Sequence, residues 1–255
     1  MTDPILQTRN LSISFGGIHA VRHVTLEFHL GHVHAIIGPN GAGKTTLINL
    51  LSGDLSPTEG QVVHQGTDIT SLPPYKVSAR GIGRSYQITN IFPQFTCRQN
   101  CWLAARARRE SAMRFFKPAN HDTGSADATD KALEMAGLTS QADVPAHAMS
   151  YGEQRQLEIA MLLALEPEIL LLDEPLAGLG PNESLAIVDL IQRLAPDHGI
   201  VLIEHDMDAV FAIANELTVM VNGEVLESGP PDAIRASEKV RQAYLGDELE
   251  LEAGA

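Results

Sequence analysis

The sequence predicts an α/β fold with a mostly parallel sheet, an antiparallel β region at the N-terminus and an inserted helical region. The apolar runs at 33–37, 169–172 and 200–203 are typical of strands in the interior of a sheet. Short β-like runs with turn residues occupy 5–37, and 96–164 is predominantly helical. The 255 residues are 44% hydrophobic, which is enough for a sizeable core.

The N-terminal third is predicted to consist of short strands. The runs 11–15, 24–28 and 33–37 have β character, and Gly16-Gly17 predicts a turn after the first. Five of the ten histidines fall here, and His32 and His34 would share a strand face, as metal ligands do. We favour scattered surface histidines over a metal site.

The first helix follows a glycine-rich segment that reads Gly38-Pro39-Asn40-Gly41-Ala42-Gly43-Lys44-Thr45, a G-x-x-x-x-G-K-T pattern between strand and helix. Its glycines let backbone N–H groups turn toward a phosphate, and the helix N-terminus adds its dipole. The pattern predicts a phosphate-binding loop (P-loop). We expect Lys44 to reach the β- and γ-phosphates and the Thr45 hydroxyl to bind Mg²⁺. The predicted nucleotide contacts are Gly38, Pro39, Asn40, Gly41, Ala42, Gly43, Lys44, Thr45 and Thr46.

The inserted region is predicted to contain helices at 97–110, 129–136 and 153–165, with a polar loop at 115–128. It is the most basic part of the chain, with Arg98, Arg106, Arg108, Arg109, Arg114 and Lys117. A docking surface for an acidic partner or lipid headgroups is one interpretation. A solvated helix face is the other, and we favour it.

The C-terminal third is predicted to return to α/β alternation, with helices at 183–194 and 207–214. Asn222-Gly223 predicts a hairpin turn between the strands 217–221 and 224–226. The tail after Gly246 is acidic.

Polar side chains follow several predicted strands at the point where each strand ends, which is where ligands gather in open α/β sheets. Asp173 is expected to hold Mg²⁺, and Glu174 to act as general base on the attacking water. His205 is expected to contact the γ-phosphate and orient the water, and the Gln87 amide to bind the metal or the water. For each residue, the alternative is a polar cap of a strand or helix.

Composition limits the classes of function. A net charge of −14 and a pI of about 5.0 argue against a general nucleic-acid binder. The two cysteines, Cys97 and Cys101, indicate a reducing compartment and two apolar fillers in preference to a metal pair. No signal peptide is visible, because Met1-Thr2-Asp3-Pro4 lacks a basic start and an apolar core. No membrane-spanning run is visible either, because Glu166, Pro167 and Glu168 interrupt the most apolar stretch. We expect a cytosolic protein that reaches a membrane only through another component.

The segment Met149-Ser150-Tyr151-Gly152-Glu153-Gln154 resembles the signature motif of ABC-type ATPases, L-S-G-G-Q or L-S-G-G-E. Met149 replaces the leucine and Tyr151 the first glycine. The order of P-loop, Gln87, signature, Asp173-Glu174 and His205 is also that of the family. The resemblance covers residues 5–246.

The resemblance implies a P-loop NTPase core that works in head-to-tail pairs. Each ATP would lie between the P-loop of one copy and Ser150, Gly152 and Glu153 of the other. Phe15 would stack on adenine, although a core strand residue is the alternative. Gln87 would begin the segment that links the site to a membrane domain.

The implied organisation is one ABC ATPase domain over 1–246, with a nucleotide-binding core at 1–87 and 166–246. Residues 88–165 would be a helical subdomain, and 247–255 an acidic tail. The implied cofactors are ATP and Mg²⁺. The implied partners are a second ATPase subunit, identical or not, polytopic permease subunits and, indirectly, a solute-binding protein. The expected location is the cytoplasmic face of the inner membrane.

One departure from the family concerns Gly180, where many members have Asp or Asn. Glycine has no side chain to reach across a dimer, which puts cross-talk between the two sites in question.

Within the family, the chain most resembles the ATPase subunits of branched-chain amino acid importers. The segments that support this resemblance are 81–87, 151–160 and 177–181, the polar insertion at 110–128 and the ending 243–246. Urea and amide importers share these features, and lipopolysaccharide-export ATPases are close. The remaining alternatives are a non-transport ABC ATPase acting on ribosomes or DNA, and a small-molecule kinase that uses the same loop.

Overall fold

The computed structural model describes residues 3–86, 90–109 and 123–242, with only the main chain of Arg109. Its strands are β1 Leu6–Phe15, β2 Ile18–Val24, β3 Glu27–Phe28, β4 Val33–Ile37, β5 Glu59–His64, β6 Thr67–Asp68, β7 Ile82–Arg84, β8 Ile169–Asp173, β9 Gly199–Ile203, β10 Glu216–Val221 and β11 Glu224–Gly229. Its helices are α1 Lys44–Leu51, α2 Pro74–Ala79, α3 Cys97–Arg109, α4 Thr123–Met135, α5 Tyr151–Leu163, α6 Pro181–Leu194, α7 Met207–Ile213, α8 Pro231–Ala236 and α9 Glu238–Val240.

Two sheets form within these residues. The larger has the order β11-β10-β4-β9-β8-β7, and its pairs from β10 to β7 are parallel, with β11 antiparallel at the edge. The smaller is antiparallel, in the order β2-β1-β5-β6 with β3 paired to β1. The predicted α/β class, with its mostly parallel sheet and its N-terminal antiparallel region, is confirmed.

Helix α1 lies in the apolar layer between the two sheets. Its buried residues Leu47, Ile48 and Leu51 belong to one cluster with Leu11 of β1 and Ile203 of β9. A second apolar cluster covers the other face of the parallel sheet and continues into α3, α4 and α5, which pack on one another. The P-loop helix is therefore held from both sides.

The register of the parallel strands brings three strand ends to one edge. Asp173 of β8 lies opposite Ile203 of β9, and Ile36 of β4 lies opposite the same Ile203. The residues that follow these strands, among them Gly38 and Glu174, therefore meet at the carboxyl edge, as parallel pairing requires.

The prediction of a loop over 115–128 is wrong for its last part, because α4 begins at Thr123. Ser125 and Thr129 are buried in that helix, and the Thr129 hydroxyl donates to the Ser125 carbonyl at 2.7 Å. Their polar groups are satisfied inside the helix, so they do not break it. Residues 110–122, including Arg114 and Lys117, lie outside the described part of the chain, as does the tail from 243.

Two further expectations are tested by burial. His34 is 2% exposed and its Nε2 lies 2.7 Å from the Thr218 hydroxyl, so the interpretation of scattered surface histidines is wrong for His34. Cys97 and Cys101 are free and buried, which confirms that they fill apolar space. Burial also raises the pKa of the two thiols to about 11 and about 12, so both remain protonated at neutral pH.

The basic stretch has partners inside the chain. Arg98 pairs with Asp130 of α4. The Arg108 guanidinium donates to the main-chain carbonyls of Leu165 and Glu166, and Arg106 lies 5.1 Å from the centre of the Trp102 ring. These contacts support a structural role for these arginines.

No helix in the described ranges combines the length and apolarity that a membrane span requires.

Candidate nucleotide-binding site

The P-loop connects β4 to α1, and close backbone packing fixes its shape. Gly38 and Gly43 have φ values of 153° and 97°. A Cβ at Gly38 would lie 2.1 Å from the Met220 carbonyl oxygen, and one at Gly43 would lie 2.2 Å from that of Ala20. Gly223 also donates its N–H to the Ala42 carbonyl at 3.0 Å, so the turn between β10 and β11 is bonded to the loop. Only glycine fits at 38 and 43.

The N-terminus of α1 has the properties of an anion site. In the described chain no side chain caps it at Gly43, and its first turn contains no acidic residue. Its leading N–H groups and the helix dipole therefore face the adjoining cleft without a protein anion on them. That cleft has a volume of ≈ 540 Å³, which suits a small-molecule ligand. Its lining residues are Ile18, His19, Ala20, Asn40, Gly41, Ala42, Gly43, Lys44, Thr45, Thr46, Glu174 and Asn222.

The Lys44 ammonium folds back over the loop. Its Nζ donates to the carbonyl oxygens of Gly38 at 2.6 Å and Pro39 at 3.1 Å. Burial lowers its pKa, and the nearby carboxylates of Glu174 and Asp173 oppose that effect. A phosphate in the cleft would give this cation a fully charged partner in place of two neutral ones.

Asp173 ends β8 and is 1% exposed. Its backbone N–H donates to the Ser85 hydroxyl at 3.1 Å, and its Oδ2 lies 3.8 Å from Nη2 of Arg84. Burial raises the pKa of this carboxyl, while Arg84 acts in the opposite direction. Its Oδ1 is buried and has no hydrogen-bond partner among the described residues. A buried carboxylate oxygen without a partner has unused capacity for a cation.

Arg84 was not predicted as a site residue. Its Nη1 also donates to Asp54 at 2.6 Å and to the Ser52 hydroxyl at 2.9 Å, and its guanidinium carbon lies 4.8 Å from the centre of the Tyr86 ring. It thus connects the end of α1 to Asp173. In the sequence it lies only three residues before Gln87, but a single arginine at a strand end does not reveal its partners.

The donor set fits Mg²⁺, which prefers oxygen ligands and keeps several water or phosphate ligands. The Oδ1 atom of Asp173 supplies one suitable oxygen, and Thr45 lies exposed at the start of α1. Gln87 lies outside the described residues. In the described chain no group of three or more His, Cys, Asp or Glu side chains is arranged to hold a metal. With a carboxylate oxygen and a hydroxyl from the chain, the remaining ligands of such an ion would be water or phosphate oxygens.

Glu174 lies at the wall of the same cleft and has a backbone φ of 50°, which is uncommon for a residue other than glycine. Its N–H donates to the Ile203 carbonyl at 2.9 Å, so the β9 strand end holds this turn. Glu174 is therefore the carboxylate that lines the P-loop cleft, while Asp173 is buried at the end of β8 beside Arg84.

His205 has a side chain that is 67% exposed, and it does not line the cleft. The preceding Glu204 was missed by sequence reasoning. It is 1% exposed and accepts hydrogen bonds from the N–H groups of Leu176 at 2.7 Å and His205 at 3.1 Å. Burial raises its pKa, and these hydrogen bonds oppose the shift. Glu204 therefore ties the loop after β8 to the loop that carries His205.

Phe15, at the end of β1, is 50% exposed and pairs in register with Ile18, which is 73% exposed and lines the cleft. This exposure excludes the alternative that Phe15 is a core strand residue. An exposed aromatic side chain beside the cleft is available for stacking.

The signature segment begins α5. Ser150 is its N-cap and accepts from the Glu153 N–H at 3.2 Å, while Glu153 Oε2 accepts from the Ser150 N–H at 2.7 Å. The helix thus begins at 151, two residues before its predicted start, with a complete capping box. The lining of the P-loop cleft includes no residue of this segment, all of which is described. Within one chain, the two predicted phosphate-binding regions do not form a joint site.

Sequence comparison decides the family. A family model described as ABC transporter matches residues 21–177, which is more than half of the chain. The chain belongs to the ABC transporter family. A second model, described as a branched-chain amino acid ATP-binding cassette transporter, matches residues 224–250 of this family member.

Curated relatives of this ABC protein match over almost their whole length. It is 37% identical over 254 residues to the high-affinity branched-chain amino acid transport ATP-binding protein LivG of Escherichia coli K12, covering 97% of this chain and 100% of LivG. BraF of Pseudomonas aeruginosa, of the same description, has the same identity and coverage. The lipopolysaccharide export system ATP-binding protein LptB of Acidithiobacillus ferridurans is 32% identical, covering 97% and 99% of the two chains.

The fold comparison agrees. The ADP conformation of MJ1267, an ATP-binding cassette of an ABC transporter, superposes with a TM-score of 0.85 at 30% identity, covering 96% of this ABC family member and 100% of MJ1267.

Proposed function

We propose that the chain binds and hydrolyses ATP to drive an ABC importer for branched-chain amino acids or a related small polar solute. Supporting this are the full-length likeness to LivG and the C-terminal match to the branched-chain amino acid cassette group. The weaker likeness to LptB gives less support to an exporter role. The observation that carries the ATPase proposal is the P-loop cleft, which has glycines at its base, an uncapped helix N-terminus and Glu174 at its wall.

In this proposal the γ-phosphate replaces Gly38 and Pro39 as the partner of Lys44, and backbone N–H groups of residues 41–46 bind the β-phosphate. Phe15 stacks on the adenine. Thr45, Asp173 and Gln87 would hold Mg²⁺ through oxygen atoms, and the ion would supply positive charge that offsets the charge of the phosphates.

Glu174 is the proposed general base because it lines the cleft and no other carboxylate among the described lining residues does so. It takes a proton from the attacking water as the oxygen of that water bonds to the γ-phosphorus and the bond from the γ-phosphorus to the β,γ-bridging oxygen breaks, which releases ADP. His205 is the proposed residue that orients this water. Its ring is exposed, its Nδ1 lies 3.7 Å from Glu204 Oε2, and the same oxygen accepts from the His205 N–H, so Glu204 holds the residue in place.

A pair of chains completes the site. Since no residue of 149–154 lines the P-loop cleft of its own chain, we propose that a second copy or a related subunit supplies Ser150, Gly152 and Glu153. The Ser150 hydroxyl and the Gly152 N–H are the donors that would meet the γ-phosphate. ATP then closes the pair, and hydrolysis opens it.

We further propose that 1–87 and 166–246 act as the nucleotide-binding core and 88–165 as a helical subdomain. A groove of ≈ 360 Å³ separates the two, lined mainly by apolar side chains that include Tyr75, Tyr86, Ala104, Met161, Leu162 and Leu165. Tyr75 is 70% exposed, and Gln87 follows Tyr86 directly. This groove is the proposed contact with a permease subunit at the cytoplasmic face of the membrane.

The variant Glu174→Gln tests the catalytic proposal. It should retain ATP binding, lower turnover by about 100-fold or more, and form an ATP-dependent dimer, because only proton transfer is lost. Phosphate release and light scattering measure the two effects. Glu134→Gln, which removes an exposed carboxylate from α4, is the control and should behave as wild type. Unchanged hydrolysis in Glu174→Gln would reject Glu174 as the base.

The permease proposal is tested by co-purification from native cells. Tyr75→Asp should lose the polytopic membrane subunit. Leu30→Asp, which alters an exposed apolar residue outside the groove, should retain it. A wild-type chain that purifies without any membrane subunit would count against a transport role. ATPase activity stimulated by nucleic acid would instead favour a non-transport ABC ATPase, and phosphoryl transfer to a metabolite a kinase.

A further inference from the structure

Glu183 joins the beginnings of two helices. It lies in the first turn of α6, and its Oε2 accepts from the Gly180 N–H at 3.1 Å. Its Oε1 accepts from the Gly152 N–H, also at 3.1 Å, in the first turn of α5. One carboxylate therefore accepts from one N–H group at each of the two helix starts, where the helix dipoles favour negative charge.

The contact at Gly152 is close enough that Glu183 would have to move if residue 152 had a side chain. A Cβ at Gly152 would lie 2.8 Å from the Glu183 carboxyl carbon, so any larger residue would displace the carboxylate. Beside it, a Cβ at Gly178 would lie 3.4 Å from the Tyr151 ring. The signature segment and the loop 177–180 therefore meet at two points, and Glu183 makes the hydrogen bonds between them.

Gly180 is the N-cap of α6 and has no side chain to accept from the first turn of the helix, as Asp or Asn would do. Glu183 does not replace that cap, because it accepts from the Gly180 N–H and not from the N–H groups of the first turn. Its second carboxylate oxygen reaches the Gly152 N–H of α5.

We propose that Glu183 is a positioning residue that holds the Gly152 N–H until the γ-phosphate of an ATP bound to the paired chain displaces it. This rests on the proposed two-chain site, in which that N–H is a phosphate donor. A carboxylate and a phosphate cannot share one N–H at close range, because both are anions. Oε1 therefore leaves Gly152 when the pair closes, while Oε2 keeps Gly180.

The displacement has two consequences for the reaction. The Glu183 carboxylate competes with the phosphate for the Gly152 N–H. The pair therefore closes at a higher ATP concentration than it would without this carboxylate, because part of the binding free energy of the phosphate is spent on breaking an existing charged hydrogen bond. Because Glu183 is also bonded to Gly180, its movement couples phosphate binding at Gly152 to the loop 177–180 of the same chain. Cross-talk would thus run through Glu183, although Gly180 has no side chain.

The test uses the full chain with Glu174→Gln, which blocks hydrolysis, and measures the ATP concentration at half-maximal dimer formation. Adding Glu183→Gln removes the charge and leaves one amide oxygen as acceptor for two N–H groups. We expect the ATP midpoint to fall about three- to tenfold, the range for losing part of a charged hydrogen bond. Asp189→Asn removes an exposed carboxylate from the same helix and should leave the midpoint unchanged.

The outcomes separate this proposal from the one on which it rests. If Glu174→Gln alone binds ATP but never dimerises, the two-chain site is wrong. If it dimerises and Glu183→Gln leaves the midpoint unchanged or raises it, the displacement proposal is overturned. A purely capping role would lower the melting temperature without lowering the midpoint.

A second measurement covers the case in which Glu183→Gln does not fold. In the Glu174→Gln chain, the amide resonance of Gly152 and the carboxyl ¹³C resonance of Glu183 should both shift when ATP closes the dimer. A Glu183 carboxyl resonance that stays unchanged through dimer formation would overturn the proposal.

Discussion

Two helices of this ABC protein begin at proposed phosphate contacts, and their first turns differ. At α1 no described side chain caps the helix, and its first residue is the cation Lys44. At α5 the carboxylates of Glu153 and Glu183 already occupy the N–H groups of Ser150 and Gly152. A phosphate at the P-loop thus displaces only the neutral carbonyl partners of Lys44, whereas a phosphate at the signature segment must displace a carboxylate. We expect nucleotide to bind at the P-loop before a second chain joins.

The largest expected effect tests whether the P-loop is rigidly preformed. Gly43→Ala would place a Cβ 2.2 Å from the Ala20 carbonyl oxygen at a φ of 97°. We expect it to lower the free energy of unfolding by about 3 kcal/mol and to abolish ATP binding, because backbone must move. Gly41→Ala has a φ of 80° but no neighbour within 4 Å and should cost only about 1–2 kcal/mol. Urea titrations compare the two, and equal losses would contradict a preformed loop.

Lys44→Ala tests the charge at the uncapped helix. Its ammonium donates to the neutral carbonyls of Gly38 and Pro39 and makes no hydrogen bond to a carboxylate in the described chain, so folding should change little. ATP affinity should fall about 10- to 100-fold, as expected when a charged hydrogen bond is removed. Isothermal titration calorimetry measures it, with Lys131→Ala on the exposed face of α4 as the charge-matched control. An unaltered affinity would refute the P-loop assignment.

Ser150→Ala tests the signature side, where one side chain both caps α5 and is proposed to meet phosphate. Loss of the cap should cost about 1 kcal/mol of stability. In the Glu174→Gln background the ATP midpoint for dimer formation should rise about fivefold or more. Ser237→Ala removes the comparable cap of α9, so its midpoint should not move. If both serine variants raise the midpoint equally, the effect is one of stability.

The smallest effect concerns pH. Hydrogen bonds from the Ser150 N–H and from Gln141 lower the pKa of Glu153 below its ordinary 4.5. Its contribution to stability is therefore full above pH 4.5 and is lost as pH falls through the lowered value. Glu153→Gln should be less stable than wild type at pH 6 by under about 1 kcal/mol, because the group is exposed. The difference should shrink below pH 4.5 in paired urea titrations, and a difference independent of pH would contradict it.

The features that could be predicted from the sequence are those that depend on the local pattern of residues. The apolar strands 33–37, 169–172 and 200–203 are β4, β8 and β9, and the loop and the strand-end carboxylates fall where their spacing requires. The features that could not be predicted are the side-chain contacts between segments that are far apart in the sequence. The partner of Glu183 on α5 is 31 residues away, and that of His34 is 184 away. The roles of the predicted site residues remain predictions, and Gln87 lies outside the described residues.

The turn at Asn222-Gly223 is bonded to the P-loop, since Gly223 donates to the Ala42 carbonyl, and a Cβ at Gly223 would lie 2.9 Å from the Ala20 carbonyl oxygen. Surface hairpin turns are ordinarily good places to insert an epitope tag or a fluorescent reporter. The turn at Asn222-Gly223 is a poor choice, because an insertion there would disturb the hydrogen bond from Gly223 to Ala42 and so displace the P-loop. The turn at Gly66 between β5 and β6, where a Cβ would meet nothing within 4 Å, is the safer position for such a label.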